Sequence, residues 1–206
     1  MKVLLINGSP HEKGCTYTAL SLIAGELKAQ GIETEILHVG GQPVGGCIGC
    51  GGCRSGNGCV FGGVVNEAIE KAKTADGFVF GSPVHYASAA GNMASFMDRL
   101  AYAGGKYLAY KPAAVCCSAR RAGTTSTLDQ LVKYPQFFHM PLVNGSYWAM
   151  VHGSNPEQVL QDAEGCAVMQ ELGRNMAWLL HCIEAGKAAG IDHPQNPPRP
   201  MTNFIR

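Results

Sequence analysis

The sequence predicts an α/β fold: a doubly wound, five-stranded parallel sheet in three layers, α/β/α. Short apolar runs alternate along the chain with longer segments whose apolar residues recur at helical spacing, the order expected of strands joined by helices. The runs are apolar throughout rather than every second residue, as in strands covered on both faces. Glycine is frequent (27 of 206 residues) and charge sparse (15%), which suits many tight turns between buried segments. Right-handed crossovers between parallel strands then place helices on both faces of the sheet.

Residues 2–7 form a short apolar run ending in Gly8-Ser9-Pro10 and are read as the first strand. A helix is expected over 16–30, with Leu20, Ile23, Ala24 and Leu27 on one face and Gly31 ending it. Residues 32–38 make the second strand, and 40–63 a long glycine-rich loop, which in a compact domain is usually functional. A helix is expected over 65–74 and a third strand over 77–82, stopped by Pro83. The next helix covers 90–103, with Met93, Phe96, Met97 and Leu100 inward. A fourth strand is expected at 113–118, a short helix at 125–133 and a fifth strand at 141–146. A long helix over 162–188 carries Met169, Leu172, Met176, Leu179, Leu180 and Ile183 on its apolar side. Residues 1–190 are read as one domain with a cysteine-rich loop at 45–60, and the proline-bearing segment 191–206 as an extended tail.

The bulk numbers exclude several classes. A net charge of +1 argues against a nucleic-acid partner held by phosphate neutralisation. No apolar run approaches the roughly 20 residues that span a bilayer. The opening Met-Lys-Val-Leu-Leu-Ile-Asn-Gly is too short an apolar stretch for a signal peptide, so a cytoplasmic protein is expected. The nine cysteines are then not read as structural disulfides. Low charge density favours self-association, and a homodimer or homotetramer is expected, with Tyr147, Trp148 and the tail as candidate contacts.

Ligands of such sheets bind beyond the carboxyl ends of the strands. The loop Gly8–Thr18 offers glycines, the hydroxyls of Ser9, Thr16 and Thr18, and a helix start, which together suit a phosphate. It contains neither G-x-G-x-x-G nor G-x-x-x-x-G-K-[ST]. The plainer alternative is a strand–helix turn with Thr16 as N-cap. Ser82-Pro83-Val84-His85-Tyr86 follows the third strand and can lie along a planar ring. Ser118 to Thr125 follows the fourth and adds Arg120 and Arg121, which suit a reduced ring or a nucleotide phosphate.

Gly8-Ser9-Pro10, Ser82-Pro83-Val84-His85-Tyr86 and Phe96-Met97-Asp98-Arg99 resemble the flavodoxin-like NAD(P)H-dependent FMN reductase family, and with the cysteines its iron–sulfur flavoprotein branch. The resemblance spans about residues 1–190 and implies a flavodoxin-like FMN-binding domain. It implies FMN phosphate at Ser9, Thr16, Tyr17 and Thr18. It implies the isoalloxazine ring against Pro83, Val84, His85 and Tyr86 and beside Ser118, Arg121 and Gly123. His85 stands where the family more often has tyrosine.

Cys47-x2-Cys50-x2-Cys53-x5-Cys59 is the most specific spacing in the chain. Thiolates this close can serve one iron–sulfur cluster, and the run resembles the motif of flavoproteins that bind a 4Fe-4S cluster. Free or redox-active thiols and a zinc site are the competing readings. Cys116 and Cys117 are expected in the core, and Cys166 and Cys182 as packing residues of the long helix.

The expected function is an FMN-dependent oxidoreductase taking electrons from NAD(P)H, or from a ferredoxin-like donor, to a small acceptor such as a quinone or flavin. The alternative is a non-catalytic, flavodoxin-like electron-transfer protein.

Overall fold

The structure is a computed structural model and describes residues 1–198 and 200–202. Five parallel strands build the sheet: β1 (Lys2–Asn7), β2 (Glu33–His38), β3 (Gly77–His85), β5 (Ala113–Ala119) and β6 (Met150–His152), in the order β2-β1-β3-β5-β6. A two-residue strand, β4 (Ser88–Ala89), turns back antiparallel on the end of β3. The helices are α1 (Cys15–Ala29), α2 (Val64–Thr74), α3 (Gly91–Gly104), α4 (Thr124–Phe137), α5 (Pro156–Val159) and α6 (Ala163–Ala188). No helix among the described residues is long and apolar enough to cross a membrane.

Strand pleating divides the core in two. Val3, Leu5 and Val79 point to one face, where they pack with Leu20, Ile23 and Leu27 of α1 and Met169, Leu172, Met176 and Leu180 of α6. Leu4, Ile6, Phe78 and Phe80 point to the other, against α2 and the α3 residues Met93, Phe96, Met97 and Leu100. Alternating side chains on opposite faces, both apolar, is why the strand sequences are continuously apolar. Helices α1 and α6 approach closely because Gly173 has no side chain: a Cβ there would lie 2.8 Å from the carbonyl oxygen of Ile23.

Three elements depart from expectation. The fifth strand is Met150–His152, not 141–146, which touches β5 only at the Ala113–Leu142 bridge. Beyond that bridge Asn144-Gly145-Ser146 swings outward and is tied to α6, where Asn175 donates to the Asn144 carbonyl (2.8 Å) and Glu171 accepts from Ser146 N–H (2.8 Å). The chain returns to the sheet when Cys117 N–H donates to Ala149 O at 3.0 Å. Strand β3 continues through Pro83 to His85 instead of stopping at 82. Its pairing with β1 ends at Gly81, so the N–H that proline lacks falls where the strand has already lost one neighbour. Helix α4 likewise runs four residues past 133, with Pro135 inside its last turns. Of the tail, 191–198 and 200–202 carry no helix or strand; the rest of the expected extended segment, 199 and 203–206, lies outside the described residues.

Candidate functional site

The chain leaves β1 toward β2 on one side and β3 on the other, so the topological switch lies between β1 and β3. The loops after β1, β3 and β5 therefore share one edge of the sheet. Gly8 N–H donates to Gly81 O at 2.9 Å and joins the first two. The Oγ atoms of Thr16 and Ser118, both buried, lie 2.8 Å apart and join the first to the third.

Helix α1 begins at Cys15 after Gly14, no side chain caps it among the described residues, and its first turn holds no acid. Its leading N–H groups and their share of the helix dipole face the loop unneutralised. Thr16 is thus not the N-cap; it sits inside the first turn and spends its hydroxyl on Ser118. Ser9 is buried, accepts from His11 N–H at 3.1 Å, and keeps its own hydroxyl proton. His38 Nε2 donates to the Ser9 carbonyl at 2.8 Å and pins the loop from β2. Thr18 Oγ1 donates back to Gly14 O at 3.2 Å, and Tyr17 is half-buried.

After β3, Pro83 and Val84 are half-buried, while His85 and Tyr86 are exposed. Tyr86 and Ala87 hold φ of +49° and +59°, the left-handed pair of a two-residue hairpin. The hairpin is clamped to α4: Ser126 Oγ donates to Ala87 O at 2.7 Å and Ala89 N–H to Gln130 Oε1 at 2.9 Å. Gly123, at φ +90°, lets the third loop close on this hairpin; a Cβ there would lie 2.7 Å from Ala87 Cα. Arg120 and Arg121 are exposed beside it. The eleven residues named for a flavin thus sit at one sheet edge, on the loops after β1, β3 and β5 and on the strand and helix ends that flank them.

The cysteine loop is a second centre. Asn92 of α3 fixes its entry, accepting from Val44 N–H (3.1 Å) and donating to Gly40 O (3.1 Å). A single 3-10 turn, Gly52–Ser55, carries Cys53. Asn66 of α2 grips Cys59 at both backbone groups, 2.8 and 3.0 Å. Cys47, Cys50, Cys53 and Cys59 are all free thiols and line one cavity of about 300 Å³. Among the described residues no three Cys, His, Asp or Glu side chains converge closely enough to hold a single ion.

Arg99 was not among the expected site residues. It is 5% exposed on α3 and its Nε donates to Cys59 Sγ at 3.2 Å. Its signal in the sequence is a charge set among the inward residues Met93, Phe96, Met97 and Leu100. The remaining cysteines behave otherwise. Cys116 and Cys117 are buried, which pushes both thiols up, Cys117 to about 12, and keeps them protonated. Cys166 donates to Val159 O at 3.2 Å as a packing residue, but Cys182 is exposed, because its turn of α6 faces solvent. Cys15 donates to Gly153 O at 3.5 Å.

The model of the NADPH-dependent FMN reductase family matches residues 1–155. An iron-sulfur flavoprotein of Methanocaldococcus jannaschii is 28% identical over 192 residues, covering 89% of this chain and 100% of that protein. Among solved structures, a flavodoxin from the domain Archaea has a TM-score of 0.60 at 13% identity, covering 88% of this chain and 99% of that one. RosB, solved with an 8-demethyl-8-formylriboflavin-5'-phosphate intermediate, has a TM-score of 0.69 at 14% identity, covering 100% and 94%. The fold is flavodoxin-like.

Proposed function

This chain belongs to the NADPH-dependent FMN reductase family, and from that membership we propose an oxidoreductase that holds FMN at the switch point and a 4Fe-4S cluster in the four-cysteine cavity. The observation that carries the flavin reading is the uncapped, acid-free start of α1, set at the sheet edge where the loops after β1, β3 and β5 meet. Its N–H groups and the Ser9 hydroxyl suit a phosphate monoester. Pro83 to Tyr86 on one side, and Ser118, Arg121 and Gly123 on the other, then border the ring. When bound, FMN supplies two-electron chemistry and a cluster one-electron exchange.

The chain's own part is to position and to exclude. The Thr16–Ser118 bond holds the first and third loops at a fixed spacing. The clamped 85–88 hairpin holds the Tyr86 ring out of the packed chain, where it can stack on the flavin ring. Arg121 offers charge to a nucleotide phosphate or to a reduced ring. NAD(P)H is the donor we propose, with a quinone or flavin as acceptor and a ferredoxin-like protein as partner of the cluster. What supports the cluster reading is that Cys47, Cys50, Cys53 and Cys59 are free thiols lining one cavity, and that a relative 28% identical is named an iron-sulfur flavoprotein.

Anaerobic purification tests both halves. The expected product is yellow-brown, releases FMN on denaturation, contains about four iron and four acid-labile sulfide per chain, and oxidises NADPH with a quinone. Colourless protein that takes up no FMN when soaked would sink the flavin reading; flavin without iron would remove the cluster alone.

A further inference from the structure

We infer that Arg99 is the positioning and potential-setting residue of the four-cysteine cavity: a buried cation that fixes Cys59 and favours the more negatively charged, reduced state of the cluster. The inference rests on the cluster half of the reading above and deepens it.

Arg99 is buried, and no carboxylate pairs with it among the described residues. Its Nε donates to Cys59 Sγ at 3.2 Å, and its two terminal nitrogens to Gly62 O at 3.0 Å and Gly45 O at 3.4 Å. The Phe61 ring covers it at 5.4 Å from the centroid. Carbonyl dipoles and an aromatic face solvate a guanidinium but leave its charge uncancelled, and a charge held out of water in this way is costly. The cavity walls hold no Asp or Glu; their other charge is Arg54, which is exposed. The occupant that balances this cavity is therefore an anion.

A cluster bound by four thiolates is such an anion and gains one further negative charge on reduction. Its potential responds to net charge and to hydrogen bonds on the sulfurs, and Arg99 supplies both at Cys59. The step is one electron onto the cluster from reduced flavin, with no bond made or broken, and the guanidinium stays protonated throughout. The same fork ties the two ends of the loop, at Gly45 and Gly62, around that sulfur. Lysine, with one compact ammonium, cannot span all three acceptors.

The test reconstitutes the full chain anaerobically with iron and sulfide, counts both, and titrates the cluster by electron paramagnetic resonance. Wild type is compared with Arg99→Met, Arg99→Lys and Arg54→Met. Arg99→Met is expected to keep flavin and iron but, at fixed ambient potential, to shift the oxidised-to-reduced ratio about tenfold toward oxidised, which is 59 mV for one electron. Arg99→Lys is expected to move the same way by less, and the solvent-screened Arg54→Met least. Wild-type titration curves in both Arg99 variants would overturn the inference, as would Arg54→Met shifting as far as Arg99→Met. If circular dichroism shows that Arg99→Met does not fold, Arg99→Lys decides. Wild type that keeps flavin but takes no iron overturns the inference together with the cluster reading, and the iron count separates that failure from an unmoved potential.

Discussion

Tyr86 is held at a positive φ with its ring fully exposed, at 103% of the reference accessibility. A left-handed tyrosine costs on the order of 1 kcal/mol, and no packing of the ring returns it. The hairpin pairing and its hydrogen bonds to α4 hold the backbone there, which leaves the ring itself free for a contact outside the chain. Tyr86→Ala is therefore expected to leave the unfolding free energy within about 0.5 kcal/mol of wild type. It is expected to weaken FMN binding about two- to tenfold, since ring-on-ring contact is worth about 0.5–1.5 kcal/mol. Flavin fluorescence titration beside urea unfolding checks it, and a loss of stability equal to the loss of affinity would mean that the ring packs instead. Single residues also mark where sequence reasoning stopped. The placement of Ser9, Thr16 and Ser118 at one end of the sheet was legible because a strand–turn–helix pattern fixes which edge they occupy. Arg99 was not given a role, because what matters is the sulfur it meets 40 positions away.

Among elements, Glu35 links three. Its carboxylate accepts from Lys2 of β1 at 2.8 Å and from Lys71 of α2 at 2.6 Å, so one side chain of β2 ties the sheet edge to the helix over it. The hydrogen bond from Lys2, then that from Lys71, holds Glu35 below the usual carboxylate range. A folded-state value below the unfolded one means the unfolded chain binds more protons in acid. The Glu35 contribution is thus fully present above the unfolded value, about 4.3, and is lost as pH falls through the lowered folded one. Glu35→Gln should be less stable than wild type at pH 7, with the gap closing as pH drops below about 4 and shrinking in high salt. Urea midpoints across pH check this; a gap that is constant with pH would assign it to packing. Elements were legible in proportion to their length. The strands of β1, β3 and β5 and the apolar stripe of α6 stood out, whereas β6 has three residues and no period to read. It exists because the edge of β5 at Cys117 is open to the returning chain, which is a property of the assembled sheet.

At the scale of the whole molecule, the proposed flavin would touch loops from β1, β3 and β5 at once, so its binding energy is spread over the sheet rather than over one loop. A ligand that binds only the folded state stabilises it by about 2.7 kcal/mol at a hundredfold excess over its dissociation constant. For a chain of 206 residues each kcal/mol moves the melting temperature by about 2–4 °C, so FMN should raise it by about 5–11 °C. Riboflavin brings the same ring and no phosphate. Helix α1 has neither a side-chain cap nor an acidic residue in its first turn, so under the proposed reading a bound phosphate would satisfy its leading N–H groups. Riboflavin at equal concentration is therefore expected to give a clearly smaller shift. Thermal unfolding of flavin-free protein with each ligand decides it. Equal shifts would detach the phosphate from α1 and leave the ring-binding loops to account for all of the affinity.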